Sequence, residues 1–456
     1  MRWISLLKRV SPALISWFVL LFCAMSFAIV PFNQARHDAR IEFGNSDKAE
    51  WAAVNAWLQA SECMRKTGAW LTVCDGDRLR PVSDFALADD PGFGLLIGIK
   101  AYLRDKPMSN VDVVTTQIWT NFLAVLALAA LLNAAGARLA SLLFLLLGDK
   151  VYVQWLDVSP HPIMIAAATF VAILPLTILL RERGHLSKGA HVTFLILGTF
   201  LMGFGAMLRE PIGTMGFLIT AAITLFLFYR SKFKRPRVLL YIALAWIGWH
   251  AASGTLAARD AFFPVEAASG IETHGVSHNL YLGLGAVPNK FDISWLDTVA
   301  ADAVHAVDPD VQYVSPEYYR ILWAVYWQRV KEDPLEVIRI YWTKFWMMLD
   351  DEFPDGALRL RTSLLIMIAF LVFYRYLPRW VRSDFGQIYP VMLVSVVFIG
   401  FFLLQGMIAH PAHMYAHPVT AFILLVFVML IEIYLRSMCA LYGSSSALNR
   451  RETPDA

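Results

Sequence analysis

Apolar runs dominate the chain, and two long polar segments, 32–112 and 257–360, interrupt them. The runs lie near 11–31, 113–134, 138–148, 162–180, 190–208, 212–229, 238–256, 361–378, 387–408 and 418–436. Most are long enough for a helix to cross ~30 Å of hydrocarbon, which takes ~20 residues. The pattern predicts an all-α membrane protein of about ten transmembrane helices, with two extracytoplasmic helical loops or domains. The run at 138–148 is the short one, and it continues into polar residues. On this reading 1–256 is a transmembrane module of seven spans that includes loop 32–112. A separate extracytoplasmic domain with interfacial helices occupies 257–360, further transmembrane helices occupy 361–437, and 438–456 is a disordered cytoplasmic tail.

Within loop two, Ser315-Pro316-Glu317 and Asp333-Pro334-Leu335-Glu336 each put a capping residue before a proline, with an acid in the first turn. Both therefore start helices. These helices carry Tyr318, Tyr319, Trp323, Tyr326 and Trp327, then Tyr341, Trp342, Phe345 and Trp346. Two readings fit that density: helices lying at the lipid headgroups, or the aromatic core of a small domain.

Composition agrees with a membrane bundle. Hydrophobic residues make up 58% and charged residues 16%, which argues against a soluble enzyme or a nucleic-acid binder. The net charge of +3 says little, because the asymmetry runs across the bilayer. With the N-terminus in the cytoplasm, eighteen of the 39 Lys and Arg but only five of the 36 acids fall on the inner side. The short inner loops thus obey the positive-inside rule, and an even number of spans brings both termini inside. The first run follows Arg2, Lys8 and Arg9 but lacks a small-x-small cleavage site, so it is read as a retained anchor. Cys63 and Cys74 lie together in loop one, where an oxidising compartment favours a disulfide; Cys23 and Cys439 sit in or beside spans.

Polar clusters at the outer ends of spans are the candidate chemistry, since polar groups near hydrocarbon are costly to keep. Asp89 and Asp90 precede Pro91-Gly92 and an amphipathic stretch to Arg104. Paired carboxylates can act as a general base or hold a divalent cation, and Asp90 can equally cap the helix that starts at Pro91. Glu42, Asp47 and Glu50 lead into a helix near Trp51, either as functional acids or as solvated charges. Arg209 stands in a tight turn between two long spans, where its planar fork suits a phosphate or a pair with Glu210. His274 and His278 have metal-pair spacing, but the glycines around them argue for a loop; His278 and Tyr281 are candidate ligand contacts. His410, His413 and His417 can share a helical face and bind zinc, yet two of them precede proline, which disfavours a continuous helix. His413 and Tyr415 are therefore read as headgroup or phosphate contacts. No Walker loop, Gly-x-Ser-x-Gly elbow, His-Glu-x-x-His or dinucleotide fingerprint occurs, which counts against ATP-driven transport and the common soluble hydrolases.

The layout resembles the C-type membrane glycosyltransferases, a superfamily that takes sugars from polyprenyl-phosphate carriers. Asp47-Lys48-Ala49-Glu50-Trp51 is similar to the acidic pair and aromatic that open the family's first outer loop, with Lys48 in place of the usual second acid. Asp90-Pro91-Gly92-Phe93-Gly94-Leu95-Leu96 is similar to the turn and apolar helix that follow, and Arg209 matches the outer-end basic residue directed at the carrier phosphate. His413 and Tyr415 ahead of Pro418 are loosely similar to the family's late Arg-Tyr motif but lack its arginine. The resemblance implies a sugar transfer from a polyprenyl-phosphate donor to an extracytoplasmic glycan or lipid acceptor. Asp47, Glu50, Asp89 or Asp90 would be the base, and Arg209 would stabilise the phosphate, helped by His413, Tyr415, Lys344 or a divalent cation. The setting implied is a bacterial inner membrane with the site facing the periplasm. The partners are then the bilayer, the lipid-linked sugar and its acceptor, with no nucleic acid. Alternatives are a ligase or polymerase using a pyrophosphate-linked glycan, and a lipid or solute transporter or flippase without chemistry, which would carry ionisable groups at mid-span.

Overall fold

The computed structural model describes all residues except 1–10, 30, 45–50, 85–90, 149–157, 267–274, 351, 354–357, 374–375, 377–385, 412 and 450–456; the side chains of 12, 27–29, 31, 352–353, 358–359, 413–417 and 439–449 also lie outside the description. The architecture is helical. Helices α1 (Pro12–Ile29), α2 (Pro31–Phe43) and α3 (Ala52–Thr67) lead to a hairpin of β1 (Thr72–Asp75) and β2 (Arg78–Pro81), then to α4 (Pro91–Arg104). Next come α5 (Asn110–Ala134), α6 (Arg138–Leu147), α7 (Met164–Glu182), α8 (Lys188–Leu208), α9 (Glu210–Arg230), α10 (Leu240–Trp249) and α11 (Ala251–Phe262). A second unit holds α12 (Val276–Gly283), α13 (Asp297–His305), α14 (Pro316–Glu332) and α15 (Pro334–Asp350). Helices α16 (Leu360–Phe373), α17 (Ile388–Ile408) and α18 (His413–Asn449) close the chain.

Among the described residues, six helices are long and apolar enough to cross a membrane: α5, α7, α8, α9, α17 and Pro418–Met438 within α18. A seventh span results if Pro236–Trp249 and Ala251–Phe262, bent by 47° at His250, count as one. The other three expected spans are the shorter apolar helices Ala13–Ser26, Arg138–Leu147 and Leu360–Phe373. This is a multi-pass helical membrane protein with six to seven spans by length, rather than an established ten.

Helix α7 is the centre of the bundle, with 89% of its span buried. It can afford that position because it is apolar on every side, and its Thr169 and Thr177 donate back to Ile165 O (2.7 Å) and Ile173 O (2.8 Å). Apolar helices in lipid gain little from hydrophobicity and associate through close van der Waals contact. Small residues supply the contact here: a Cβ at Gly216 would lie 1.9 Å from Val171 Cγ1, and one at Gly205 2.8 Å from Ala167 O. The end of α18 is tied in by Glu432, a buried acid that accepts from Ala140 N (2.8 Å) and pairs with Arg436, which also donates to Gly136 O (2.8 Å). Glu432 thus satisfies an orphan N–H in the first turn of α6.

The second unit has a core of its own, including Leu282, Leu284, Val304, Val314, Tyr318 and Leu322. Its two expected helix starts are present. Ser315 accepts from Tyr318 N (3.2 Å), and Asp333 Oδ1 accepts from Glu336 N (3.0 Å). Of its aromatics, Tyr318 and Tyr326 are buried in this core, while Trp323, Trp327, Trp342 and Trp346 are exposed.

Three local expectations are corrected. The segment at His278 is helical, not a loop, because Gly275 and Gly283 flank α12 at its ends instead of interrupting it. Helix α18 starts at His413 and passes through Pro418, so His417-Pro418 does not break it; within membrane helices the missing proline bond is tolerated. The same helix runs on to Asn449, past 438 where a disordered tail was expected. Extending an existing helix through Ala440, Leu441, Ala447 and Leu448 costs little per residue, unlike starting one.

Candidate functional site

Arg209 is the single residue between α8 and α9. It ends the first helix, with its N–H on Gly205 O (2.9 Å), and is extended (φ −159°, ψ 103°) so that the next helix starts at Glu210. A turn this short needs the helices to touch beside it, and they do: a Cβ at Gly213 would lie 2.4 Å from Ala206 Cβ. Arg209 therefore stays at the bundle end, half-buried, with its Nε inaccessible to solvent.

Two parts of the first polar segment meet this turn. The first turn of α4 rests on the end of α8, where a Cβ at Gly92 would lie 2.7 Å from the Met207 carbonyl carbon. Helix α3 packs on α4 through Trp57 and Phe93, whose ring centres are 5.2 Å apart. The Cys63–Cys74 disulfide links α3 to β1, as the sequence predicted, so this segment is held together covalently. At the start of α3, Trp51 sets its ring edge-on to His161 at 5.0 Å.

His161 lies in the irregular residues before α7, which α5 holds in place. Gln117 Nε2 donates to Ser159 O (2.5 Å), Asn121 Nδ2 donates to Pro162 O (3.0 Å), and Asn121 Oδ1 accepts from Ala166 N (3.0 Å). Burial, reinforced by the Arg209 charge, pushes the His161 imidazole down to about 4. It is neutral at pH 7, leaving Arg209 as the cation of the pair. Arg209, His161, Trp51 and the start of α4 thus form one cluster, which the sequence only half revealed. Arg209 was singled out; His161 was not, although His-Pro at the mouth of a span is the same signal that drew notice at His410 and His417. The four candidate acids, Asp47, Glu50, Asp89 and Asp90, lie outside the described residues. Glu50 is bonded to Trp51 and Asp90 to Pro91.

The remaining candidates belong to the second unit. His278 is buried, with Nδ1 3.0 Å from the Tyr318 hydroxyl and Nε2 3.1 Å from Asp297 Oδ1. Tyr281 is buried too, and burial pushes its phenol up against the opposing pull of Arg329. Lys344 is fully buried, and its ammonium donates to Gly283 O (2.9 Å), Ala409 O (2.6 Å) and Ile408 O (3.3 Å). All three protons are spent on carbonyls, so Lys344 joins the second unit to the end of α17. Burial draws its pKa down to about 7. The side chains of His413 and Tyr415 lie outside the description. Among the described residues no group of three His, Cys, Asp or Glu is arranged to hold a metal ion.

Compared with protein-family models, curated proteins and solved structures, the chain has no match in any of the three.

Proposed function

We propose that this chain is an integral-membrane glycosyltransferase that moves a sugar from a polyprenyl-phosphate donor to an extracytoplasmic glycan or lipid acceptor. The reading is carried by one observation: Arg209, neutral His161 and Trp51 share one bundle end with the start of α4, and the chain next to two of these residues carries Glu50 and Asp89-Asp90. In the reaction, an acceptor hydroxyl oxygen bonds to the anomeric carbon as the bond from that carbon to the phosphate oxygen breaks. The hydroxyl proton passes to one of the carboxylates Asp47, Glu50, Asp89 or Asp90, and the Arg209 guanidinium stabilises the departing phosphate. The donor is already activated, so no nucleotide motif is required. The sorting of Lys and Arg and the Cys63–Cys74 bridge support an inner membrane of a bacterium, both termini in the cytoplasm and the Arg209 end facing the periplasm. Ten spans follow if the three short apolar helices also cross. Glu432, a buried acid within a span, is engaged in capping α6, which leaves it unsuited to a transport path.

The test is transfer of radiolabelled sugar from polyprenyl-phosphate donors by the full chain in membranes. Changing the base among Asp47→Asn, Glu50→Gln, Asp89→Asn and Asp90→Asn lowers turnover by about 10²–10⁴, and Arg209→Gln does so by about 10²–10³ if the guanidinium carries phosphate charge. Wild-type transfer in all four acid variants, or neither transfer from nor binding of any such donor by the wild type, would overturn the proposal. Activity confined to pyrophosphate-linked glycans would make the protein a ligase or polymerase instead.

A further inference from the structure

At the bundle end opposite Arg209, a cleft of about 1100 Å³ opens between α7, α9 and α17. The two ends are separated by the length of α9, about 30 Å at ~1.5 Å per residue. The depth of the cleft is apolar, lined by Leu218, Ala222 and Phe226 of α9 and by Leu393 and Val397 of α17. Its mouth carries Arg183, Arg230, Lys234 and Arg235 against the single carboxylate Glu182. Arg235 pairs with Glu182 at 3.3 Å, and the Arg183 guanidinium lies over the Tyr389 ring at 4.4 Å. Those contacts leave the mouth with an excess of three positive charges.

Shape and charge together select the occupant. The volume lies above the roughly 300–1,000 Å³ of small-molecule sites. Leu218, Phe226 and Val397 are each at least 40% exposed, so the cleft opens sideways toward hydrocarbon. A water-soluble anion would use the cations and leave this apolar depth empty, whereas a neutral lipid would fill the depth and leave the cations unmatched. We propose that the cleft is a binding site for an anionic phospholipid of the adjoining leaflet, with its phosphate among the four cations and an acyl chain along α9 and α17. A basic pocket between spans is the setting in which anionic headgroups are recognised. The bound lipid would join α17 to the bundle built by α7 and α9, at the end away from the catalytic proposal and independently of it.

Full-length protein, delipidated in detergent, is titrated with phosphatidylglycerol, with phosphatidylcholine of the same chains and with glycerol phosphate, and bound species are counted by native mass spectrometry. Phosphatidylglycerol should bind at least tenfold tighter than phosphatidylcholine. Arg183→Gln/Arg230→Gln/Lys234→Gln should cost about fivefold per cation, on the order of 100-fold in total, and leave phosphatidylcholine unchanged. Leu393→Trp, which fills the cleft, should weaken both lipids. If the charge variant fails to fold, wild-type protein still decides: added salt should weaken phosphatidylglycerol alone. Equal affinity for the two lipids, displacement of phosphatidylglycerol by equimolar glycerol phosphate, or no effect of Leu393→Trp would each overturn the proposal.

Discussion

Replacing Lys344 by methionine tests whether a buried ammonium with no carboxylate partner among the described residues sets the pH dependence of stability. The side chain is fully buried, and its only hydrogen bonds among the described residues go to the carbonyls of Gly283, Ile408 and Ala409. The charged form satisfies three carbonyls and the neutral form two, so hydrogen bonding favours the proton. Desolvation opposes it and prevails, drawing the pKa from 10.5 down to about 7. The sign follows from proton counts. Below pH ~7 the amine is charged in both folded and unfolded chains; between there and 10.5 the unfolded chain holds a proton that the fold has lost, so stability rises with pH. The slope is about 1.4 kcal/mol per pH unit, or roughly 2.5 kcal/mol from pH 7 to 9. The assay is equilibrium unfolding of the full chain in mixed detergent micelles, for wild type and Lys344→Met, across that range. His410, which lies close enough to feel the Lys344 charge, is depressed by burial and by that charge and titrates below the window. The stability of wild type minus that of the variant should climb by about the stated amount. A difference flat to within ~1 kcal/mol would refute the reasoning and mean that the carbonyls hold the proton throughout.

Gly216→Val should drive a side chain into Val171 and cost about 1–3 kcal/mol or prevent assembly, whereas Gly189→Ala, which meets open space, should leave the melting temperature unchanged. Cys63→Ser should cost about 3 kcal/mol for a loop closed over a separation of 11 residues, and limited proteolysis between α3 and β2 should speed up accordingly. Tyr318→Phe should cost about 1–3 kcal/mol by removing the buried partner of His278 Nδ1, read as a lowered unfolding midpoint.

What the sequence reveals is what local periodicity encodes. The long spans, the capped starts of α14 and α15 and the tight turn at Arg209 all depend on neighbours a few positions apart, and each is found where expected. Hydropathy alone does not say whether a run of ten apolar residues such as Arg138–Leu147 crosses a bilayer, so the span count stays between the patterns. The sites depend on long-range contact. His161 meets Trp51 across more than a hundred residues of chain, and the carbonyls on Lys344 come from segments on either side of it. No local pattern records such meetings. The sequence offers Lys344 only as a helper at the carrier phosphate, and its three carbonyl acceptors leave no local trace.

The turn at Arg209 also bears on how this chain can change in length. Surface loops usually absorb an added or lost residue, since closing a slightly longer loop costs only a fraction of a kcal/mol. Here no loop exists to absorb it. One residue inserted in the last turn of α8 rotates everything before it by about 100° relative to Arg209, carrying Gly205 and Ala206 away from Ala167 and Gly213. Viable insertions and deletions should therefore be rare between Gly203 and Gly216 and more frequent on either side of that stretch. A library of single-codon insertions across 190–230, selected for folded protein, would draw that boundary directly.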